Sequence, residues 1–431
     1  MFVRIVDVSR PRLKVATMRP ARHRYSPKSV LAFFRLLLIA MTFCLPSGFV
    51  YAGQGAVLTG IDVLQQDGFK QLSGANVGLI TNHTGIGRKG SGTIQLLHDA
   101  RKVNLVALFS PEHGPVGKLD VSIIDNSKDP TTGIDIISLY GSNRRPTTDM
   151  LVGIDTLVFD IQDIGTRFYT YISTMGEAMR AAAENDIRFV VLDRPNPING
   201  VTVSGPVLDE GRQSFTGFHR LPVRHGMTTG ELARMFNAEL QLGLELEIIP
   251  VNGWRRADYF DVTGLKWINP SPNMRNLTEA ILYPGIGLLE TTNLSVGRGT
   301  ATPFELFGAP WIDSEMFALE LNKLNLPGVR FTPLQFTPDA SKFAGERCSG
   351  VNILITDRQQ FESVRTGFEI AVLLRRLYVD EWEFDAYDRL LVNKAVLDAI
   401  RSGRPYPEIE AIYHGDLMEF LQRRSSFLIY D

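Results

Sequence analysis

The chain has 431 residues, of which 44% are hydrophobic and 21% are charged, and its net charge is -2. This balance excludes collagen-like, coiled-coil and wholly disordered chains, because enough apolar surface is present to form a core. The length predicts two or three domains. Residues 1–52 carry nine Lys or Arg against the single acidic residue Asp7, which leaves 36 basic and 46 acidic residues in the remainder. Such an acidic body is unsuited to nucleic acid, so we expect no nucleic-acid partner.

The first 52 residues have the features of an export signal. A basic stretch precedes an apolar run from Leu31 to Val50, and Ala52 offers a small residue for cleavage before Gly53. A membrane anchor is the alternative, but the apolar run after Arg35 is short for a membrane-spanning helix. We therefore expect signal cleavage, a periplasmic or secreted protein, and no stable membrane span afterwards. The mature chain would keep one cysteine, which excludes an internal disulfide.

Short apolar runs alternate with helical patterns between residues 57 and 275. Strands are predicted at 75–81, 103–110, 156–160, 188–193 and 244–251, and helices at 93–102, 171–185 and 228–240. Thr228 and Glu231 have the spacing of a capping box at the start of the last helix. Nearly continuous apolar strands separated by helices predict an α/β fold, in which a parallel sheet carries helices on both faces.

The pattern of predicted elements changes at Pro270–Pro272 and at Pro284, after which predicted loops become more frequent. We place a domain boundary near residue 275, with an α/β domain over 57–275 and a smaller α+β domain over 276–431. Strands near 328–332 and 351–356 and helices near 315–324, 361–378, 389–402 and 409–423 are predicted in the second domain.

Polar loops follow four of the predicted strands. Because ligands of parallel sheets bind beyond the carboxyl ends of the strands, we expect these loops to form one pocket. Ordinary turn chemistry explains any one loop, but four together favour a binding site. The candidate residues in these loops are Asn82, His83, Glu112, His113, Asp160, Gln162, Asp163, Arg167, Tyr169, Arg194 and Asn196.

Glu112 is the strongest catalytic candidate. A partly desolvated carboxyl group at the end of a strand can stay protonated near neutral pH, as a general acid must, although a structural acid is the alternative. His113 could orient Glu112. Asp160 and Asp163 are natural second carboxylates for glycoside hydrolysis, but Asp163 could instead cap the following helix.

Two other kinds of site are weaker alternatives. Residues 85–90 match G-x-G-x-x-G, a dinucleotide fingerprint, but the motif does not directly follow the strand and the protein is expected to be exported. His83, His113 and His225 could hold a metal ion with nearby acids, yet no H-x-x-x-H or H-E-x-x-H spacing is present. We therefore expect neither a cofactor nor a metal ion.

In the second domain, residues 289–300 are dense in hydrogen-bonding groups. Glu290, Thr292 and Asn293 precede Arg298, which stands between two glycines and could approach a ligand carboxylate closely. A connecting loop with a solvated arginine is the simpler alternative for this segment.

Five blocks of sequence carry a resemblance to a known family. They are TNHTG at 81–85, FSPEHG at 109–114, DIQDIGTRFYTY at 160–171, LDRPNP at 192–197 and LETTNLSVGRGT at 289–300. Together, from about residue 60 to the C-terminus, the chain resembles the exo-β-N-acetylmuramidase (NamZ, or YbbC-like) family. The resemblance implies a Rossmann-like first domain, a smaller second domain and a cleft between them. It also implies hydrolytic release of N-acetylmuramic acid from the non-reducing ends of peptidoglycan fragments, with Glu112 as the catalytic residue and without dinucleotide chemistry.

N-Acetylmuramic acid carries a lactyl carboxylate, for which Arg298 ranks above Arg167 and Arg194 as a partner. Tyr169 and Tyr171 could flank the sugar ring. Asn82, Asn196 and Asn293 could bind its hydroxyl or acetamido groups. The second catalytic group stays open between Asp160, Asp163, Glu290, a water held by His113 and the acetamido group of the substrate. The alternative function is a non-catalytic cell-wall protein that binds sugar in the same cleft.

Overall fold

The computed structural model describes residues 56–112, 114, 127–141 and 143–431. The predicted export signal and His113 lie outside the described residues. Within those ranges no helix is both long enough and apolar enough to cross a membrane.

Strands and helices alternate through the first two thirds of the described chain. The strands are β1 (Asn76–Thr81), β2 (Asn104–Ser110), β3 (Ser127–Lys128), β4 (Asp135–Ser138), β5 (Thr156–Asp160), β6 (Arg188–Leu192), β7 (Ser204–Val207), β8 (Pro222–Arg224), β9 (Leu246–Ile249), β10 (Leu306–Ala309), β11 (Val329–Phe336) and β12 (Cys348–Ile355). The helices are α1 (Gly60–Gln66), α2 (Thr93–Asp99), α3 (Tyr171–Glu184), α4 (Thr229–Glu239), α5 (Leu277–Ile286), α6 (Ser314–Lys323), α7 (Ser363–Leu377), α8 (Asp388–Leu391), α9 (Lys394–Arg401) and α10 (Tyr406–Ser425).

Seven of the described strands form the main sheet, in the order β3-β4-β2-β1-β5-β6-β9. All neighbours pair in parallel except β3, which runs antiparallel to β4 at the edge. The sheet is therefore mixed, where the sequence predicted a parallel one. The chain moves outward from β1 through β2 to β4 and then returns to β5 on the other side of β1. Ligands of such sheets bind at this crossover, so the loops after β1, β2 and β5 are well placed for a site.

The main sheet is covered on both faces, as predicted. Val77 and Leu79 of β1 point into one apolar cluster with Ile61 of α1 and Leu97 of α2. The next β1 residue, Ile80, points into the larger cluster that also contains α3 and α4. Alternation of side chains along a strand explains how one buried strand serves both clusters.

Two helices differ from what the sequence predicted, one through a local backbone feature and one through packing against a distant helix. The predicted helix at 389–402 is divided, because Val392 adopts a left-handed φ of 47° and Asn393 caps α9 by accepting from the Val396 amide at 3.0 Å. Pro284 was expected to lie in a loop but lies inside α5 near its end. Gly285 in α5 allows the close approach of α7, since a Cβ there would lie 2.0 Å from the Ser363 carbonyl oxygen.

The smaller C-terminal domain is built on an antiparallel sheet of order β10-β12-β11. Its buried side chains join those of α3 and α4 in one apolar cluster. The described residues from 56 onward form one compact unit. The domain boundary near residue 275 stays a prediction.

Candidate active site

A cavity of about 330 Å³ opens where the loops after β2 and β5 meet the C-terminal domain. This volume is in the range of small-molecule sites. Three kinds of residue form its wall. They are one carboxylate from the loop after β2, aromatic side chains from several segments, and three charged side chains from the C-terminal domain. The lining residues that matter below are Glu112, Phe168, Tyr169, Thr170, Tyr171, Ser271, Tyr283, Glu290, Arg298, Phe304 and Lys342.

Glu112 lies just beyond the carboxyl end of β2 and is partly buried. Thr170, the residue that precedes α3, donates its hydroxyl hydrogen to Glu112 Oε2 at 2.5 Å. A hydroxyl can also accept a hydrogen bond, so Thr170 can hold the Glu112 side chain in either protonation state. Such a contact suits a group that gives up and regains a proton during one reaction.

Aromatic rings form the floor and one side of the cavity. Tyr169 meets Tyr171 and Tyr283 edge to face, with ring centroids 5.1 and 5.8 Å apart, and Tyr283 meets Phe304 at 4.7 Å. Burial raises the pKa values of Tyr169, Tyr171 and Tyr283 well above the ordinary tyrosine value. These rings therefore stay neutral, and their edges and hydroxyl groups suit the mixed apolar and polar surface of a sugar.

The C-terminal domain contributes the charged end of the cavity. Arg298 and Glu290 form an ion pair of 2.6 Å, and the Arg298 guanidinium also lies over the Phe304 ring, 5.6 Å from its centroid. The Lys342 ammonium donates to the Glu290 backbone oxygen. Burial lowers the pKa of Lys342, as do Arg298 and Arg389 nearby, while Glu290 acts in the opposite direction.

Four residues expected at the site from sequence do line this cavity. They are Glu112, Tyr169, Glu290 and Arg298, and the predicted sugar-flanking Tyr171 joins them. The side chains come from two different strand-end loops and from a segment over a hundred residues further along the chain, so the fold brings them together from separate positions.

Arg167 is not available to a ligand, contrary to expectation. Its side chain is fully buried, and its guanidinium donates to the carbonyl oxygens of Pro206, Leu221, Leu390 and Leu391 at 2.7–3.1 Å. Burial lowers its pKa to about 9. Arg167 thus ties β7 and β8 to the end of α8, and its role in this structure is to hold segments together.

Asp160 and Arg194 are also occupied inside the protein. They form a buried ion pair of 2.6 Å, Thr93 donates to the same carboxylate, and Arg194 reaches the Ile86 carbonyl oxygen at 3.0 Å. Neither residue lines the cavity described above. Their pairing connects the loops after β1, β5 and β6, which is a structural task in place of the expected contact with substrate.

The glycine motif at residues 85–90 forms a closed turn. The Gly87 amide donates to the Ser91 carbonyl oxygen at 2.9 Å and the Gly90 amide to that of Gly87 at 2.8 Å. The space beside the loop is about 20 Å³, far below the volume of a nucleotide site. The amides of Gly87 and Gly90 are therefore already engaged and are not available to bind a pyrophosphate. Over the described residues, no group of three or more His, Cys, Asp or Glu side chains could hold a metal ion.

Asp163 lies next to the cavity wall but does not line it. Its Oδ2 accepts from the Gly165 amide at 2.6 Å, and His225 Nε2 lies 3.8 Å away. Burial raises the pKa of Asp163 to about 7, whereas burial and the nearby Arg424 and Arg224 lower that of His225 to about 3. Asp163 and His225 therefore form a buried, weakly coupled pair behind the aromatic wall.

The remaining candidates serve turns and connections. Asn82 accepts from Thr84 within its turn, and Asn196 and Gln162 donate to nearby carbonyl oxygens. None of the three residues lines the cavity that contains Glu112. His83 Nε2 lies 2.6 Å from the Asn269 carbonyl oxygen. The Thr292 hydroxyl group donates to the Leu289 carbonyl oxygen and accepts from the Trp382 ring nitrogen. Asn293 binds the backbone at Glu381 and Glu383.

Several cavity residues were not singled out from the sequence. Ser271 lies in the proline-rich segment that was interpreted only as a change in the pattern of predicted elements, and Tyr283 lies in the unpredicted helix α5. Lys342 lies in an ordinary-looking connection between β11 and β12. Only Thr170 carried a signal, because it sits within the polar block after β5.

The fold and the cavity define an α/β protein with an aromatic-lined cleft that holds carboxylates, which is the kind of site used for glycoside hydrolysis. Comparison with known proteins agrees with this class. Residues 77–278 match the N-terminal part of the family described as exo-beta-N-acetylmuramidase NamZ, and residues 281–430 match its C-terminal part. The chain therefore belongs to the exo-β-N-acetylmuramidase (NamZ) family of glycosidases.

One curated relative and two solved structures support this assignment. Peptidoglycan beta-N-acetylmuramidase NamZ of Bacillus subtilis (strain 168) is 43% identical over 378 residues, which cover 87% of this chain and 91% of that protein. Two crystal structures of DUF1343-family proteins from Bacteroides fragilis superpose with TM-scores of 0.82 and 0.70, at 39% and 30% identity. They cover 87% and 88% of this chain, and 99% of each of those chains.

Proposed function

We propose that this chain hydrolyses the β-glycosidic bond of a terminal N-acetylmuramic acid residue in peptidoglycan fragments, with Glu112 as general acid and base. The observation that carries the proposal is the position of Glu112 in the cavity, where Thr170 holds its carboxyl group. The 43% identity to the Bacillus subtilis peptidoglycan β-N-acetylmuramidase, over most of both chains, supports the substrate class.

The position of Glu112 suits the first step of the reaction. A glycosidic oxygen must be protonated as the bond breaks, because an alkoxide is a poor leaving group. Glu112 is partly buried and faces the aromatic wall, so a bound sugar would exclude water from around its carboxyl group. The proton that Glu112 delivers is regained when water completes hydrolysis, and Thr170 can stay in contact throughout.

Glu290 is the other carboxylate that lines the cavity among the described residues. Its ion pair with Arg298 fixes the side chain and balances its charge. A fixed carboxylate in this position can stabilise the positive charge that develops at the anomeric carbon. Asp163 lies behind the wall, so Glu290 has the more direct access to a ligand.

Replacement of Glu112 tests the proposal. Glu112→Gln removes the proton donor but keeps the side-chain volume and the contact with Thr170. We therefore expect release of N-acetylmuramic acid from a β-linked disaccharide, whose leaving group is a sugar alcohol, to fall by at least about a hundredfold. Glu408→Gln, which changes an exposed glutamate on α10, is the matched control and should retain full activity. Retained turnover in a folded Glu112→Gln protein would refute the role of Glu112.

A binding protein without catalytic activity would use the same cavity differently. In that case N-acetylmuramic acid would bind to wild-type protein without any release of the sugar from the disaccharide over a long incubation. Turnover by wild-type protein that is lost in Glu112→Gln would exclude this second function.

We also propose that the protein is exported and acts in the periplasm or outside the cell. The basic and apolar segments at residues 1–52 support this location, which is also where peptidoglycan lies. Expression of the full chain in a bacterial host, followed by N-terminal sequencing of the product, tests the proposal. A mature protein that begins near Gly53 is expected, whereas an intact N-terminus in the cytoplasm would contradict it.

A further inference from the structure

The charged end of the cavity contains more positive than negative charge. Arg298 is balanced by its ion pair with Glu290. Lys342 lines the same end, and in the described part of the chain its ammonium contacts only the Glu290 backbone oxygen, with no carboxylate as partner. An ammonium group has three donors, so two of them can serve a ligand. A partly buried cation whose acidic neighbour, Glu290, is already paired with Arg298 favours an anionic ligand.

The backbone holds Lys342 at the cavity at some conformational cost. The residues on either side, Ser341 and Phe343, have left-handed φ angles of 67° and 59°. Side chains other than glycine rarely adopt this conformation, and it costs of order 1 kcal/mol or more per residue. Residues retained in such conformations are common where a chain must present a particular side chain to a ligand.

Gly299 lets the Lys342 loop approach Arg298. A Cβ at Gly299 would lie 2.4 Å from the Ala340 carbonyl oxygen, and the Asp339 amide donates to the Gly299 carbonyl oxygen at 2.8 Å. The glycine after Arg298 therefore serves the packing of the Lys342 loop, and the sequence alone had suggested that it lets a ligand approach. The two cations reach the cavity as one preorganised unit.

We propose that Lys342, beside the Arg298–Glu290 pair, binds the carboxylate of the 3-O-lactyl group and makes the site selective for sugars that carry it. This inference rests on the proposed function and names the residue that distinguishes N-acetylmuramic acid from N-acetylglucosamine. A lysine can contact a carboxylate through a charge-assisted hydrogen bond, which is stronger than a neutral one. Sugars without the carboxylate would leave the Lys342 charge unbalanced in a partly buried site.

Two substrates that differ in one charge and one methyl group test this role. The first is 4-nitrophenyl β-N-acetylmuramide and the second is its lactyl methyl ester. Lys342→Met should lower kcat/KM for the free acid about tenfold to a hundredfold, the effect of a lost charge-assisted hydrogen bond, and change the value for the ester less than about twofold. Lys342→Arg, which retains the charge, should recover most of the loss. Lys89→Met, at an exposed turn, is the control and should change neither value.

Inhibition constants for free N-acetylmuramic acid and its methyl ester give a second measurement that does not require turnover of the ester. Equal losses for acid and ester in Lys342→Met would show that Lys342 only supports the Glu290 backbone and would overturn the inference. No loss for either compound would overturn it as well. If wild-type protein hydrolyses neither glycoside, the proposed function fails, and this result is distinct from a failure of the selectivity role.

Discussion

Asp163 should make the folded protein less stable as the pH rises from about 4 to 7. Its carboxyl group is buried, Oδ1 has no hydrogen-bond partner among the described residues, and the neighbouring His225 is neutral because its pKa is lowered to about 3. Burial raises the pKa of Asp163 from 3.8 to about 7. Between these values the folded chain binds a proton that the unfolded chain releases, so the free energy of unfolding falls as the pH rises.

The size of this effect follows from the pKa difference. About three units at about 1.4 kcal/mol per unit give an upper bound of ~4 kcal/mol at pH 7 and above. Asp163→Asn keeps the shape and the acceptor for the Gly165 amide but removes the titration. We therefore expect Asp163→Asn to be more stable than wild type above pH 7 and close to it at pH 4–5.

Urea unfolding of both proteins at half-unit intervals from pH 4.5 to 8 measures the difference directly. Other buried groups titrate in both proteins, so the comparison isolates Asp163. Parallel stability curves over this range would refute the reasoning. Because Asp163 does not line the cavity, the variant should also keep turnover within a few fold, and a loss above a hundredfold in a stable protein would restore Asp163 as a catalytic candidate.

Two further substitutions test other contacts. Arg167→Met should destabilise the protein by roughly 3–5 kcal/mol in urea unfolding, because four buried carbonyl oxygens lose their donors. The control is Arg212→Met at an exposed ion pair, which should cost under about 1 kcal/mol. Equal losses for the two arginines would contradict the assigned role of Arg167. Thr170→Val should lower kcat for the β-linked disaccharide about tenfold by releasing Glu112, and Thr170→Ser should recover the loss. A fully active Thr170→Val protein would show that this contact is dispensable.

Much of the fold could be predicted because its signals are local. The apolar run at 156–160 is β5 with the predicted bounds, and the capping box of Thr228 and Glu231 begins α4 as expected. The predictions failed where distant residues decide the structure. The polar pair Ser127–Lys128 becomes a strand only because β4 lies beside it, and α5 continues through Pro284 because it packs against α7.

In the candidate site, too, the sequence indicated which residue types are suitable but did not show which of them face the cavity. Glu112 and Tyr169 could be selected by residue type and by their position after predicted strands. Glu290 and Arg298 could be selected because residues 289–300 are dense in hydrogen-bonding groups. Arg167 and Arg194 were candidates as well, since nothing in the local sequence shows that one arginine binds four carbonyl oxygens and the other a buried carboxylate.

The sequence by itself determined the order of the strands and helices that it predicted in the first domain, which are β1, α2, β2, β5, α3, β6, α4 and β9, and the kinds of side chain that follow these strands. It could do so because periodicity, capping and turn preferences act over a few residues. Only the tertiary structure decided which of those side chains meet. Lys342 reaches the cavity through a turn that packs against Gly299, whereas the Asp160 carboxylate is paired with Arg194 inside the protein. Contacts between residues distant in sequence depend on packing and on competition among partners, and neither is written in a local pattern.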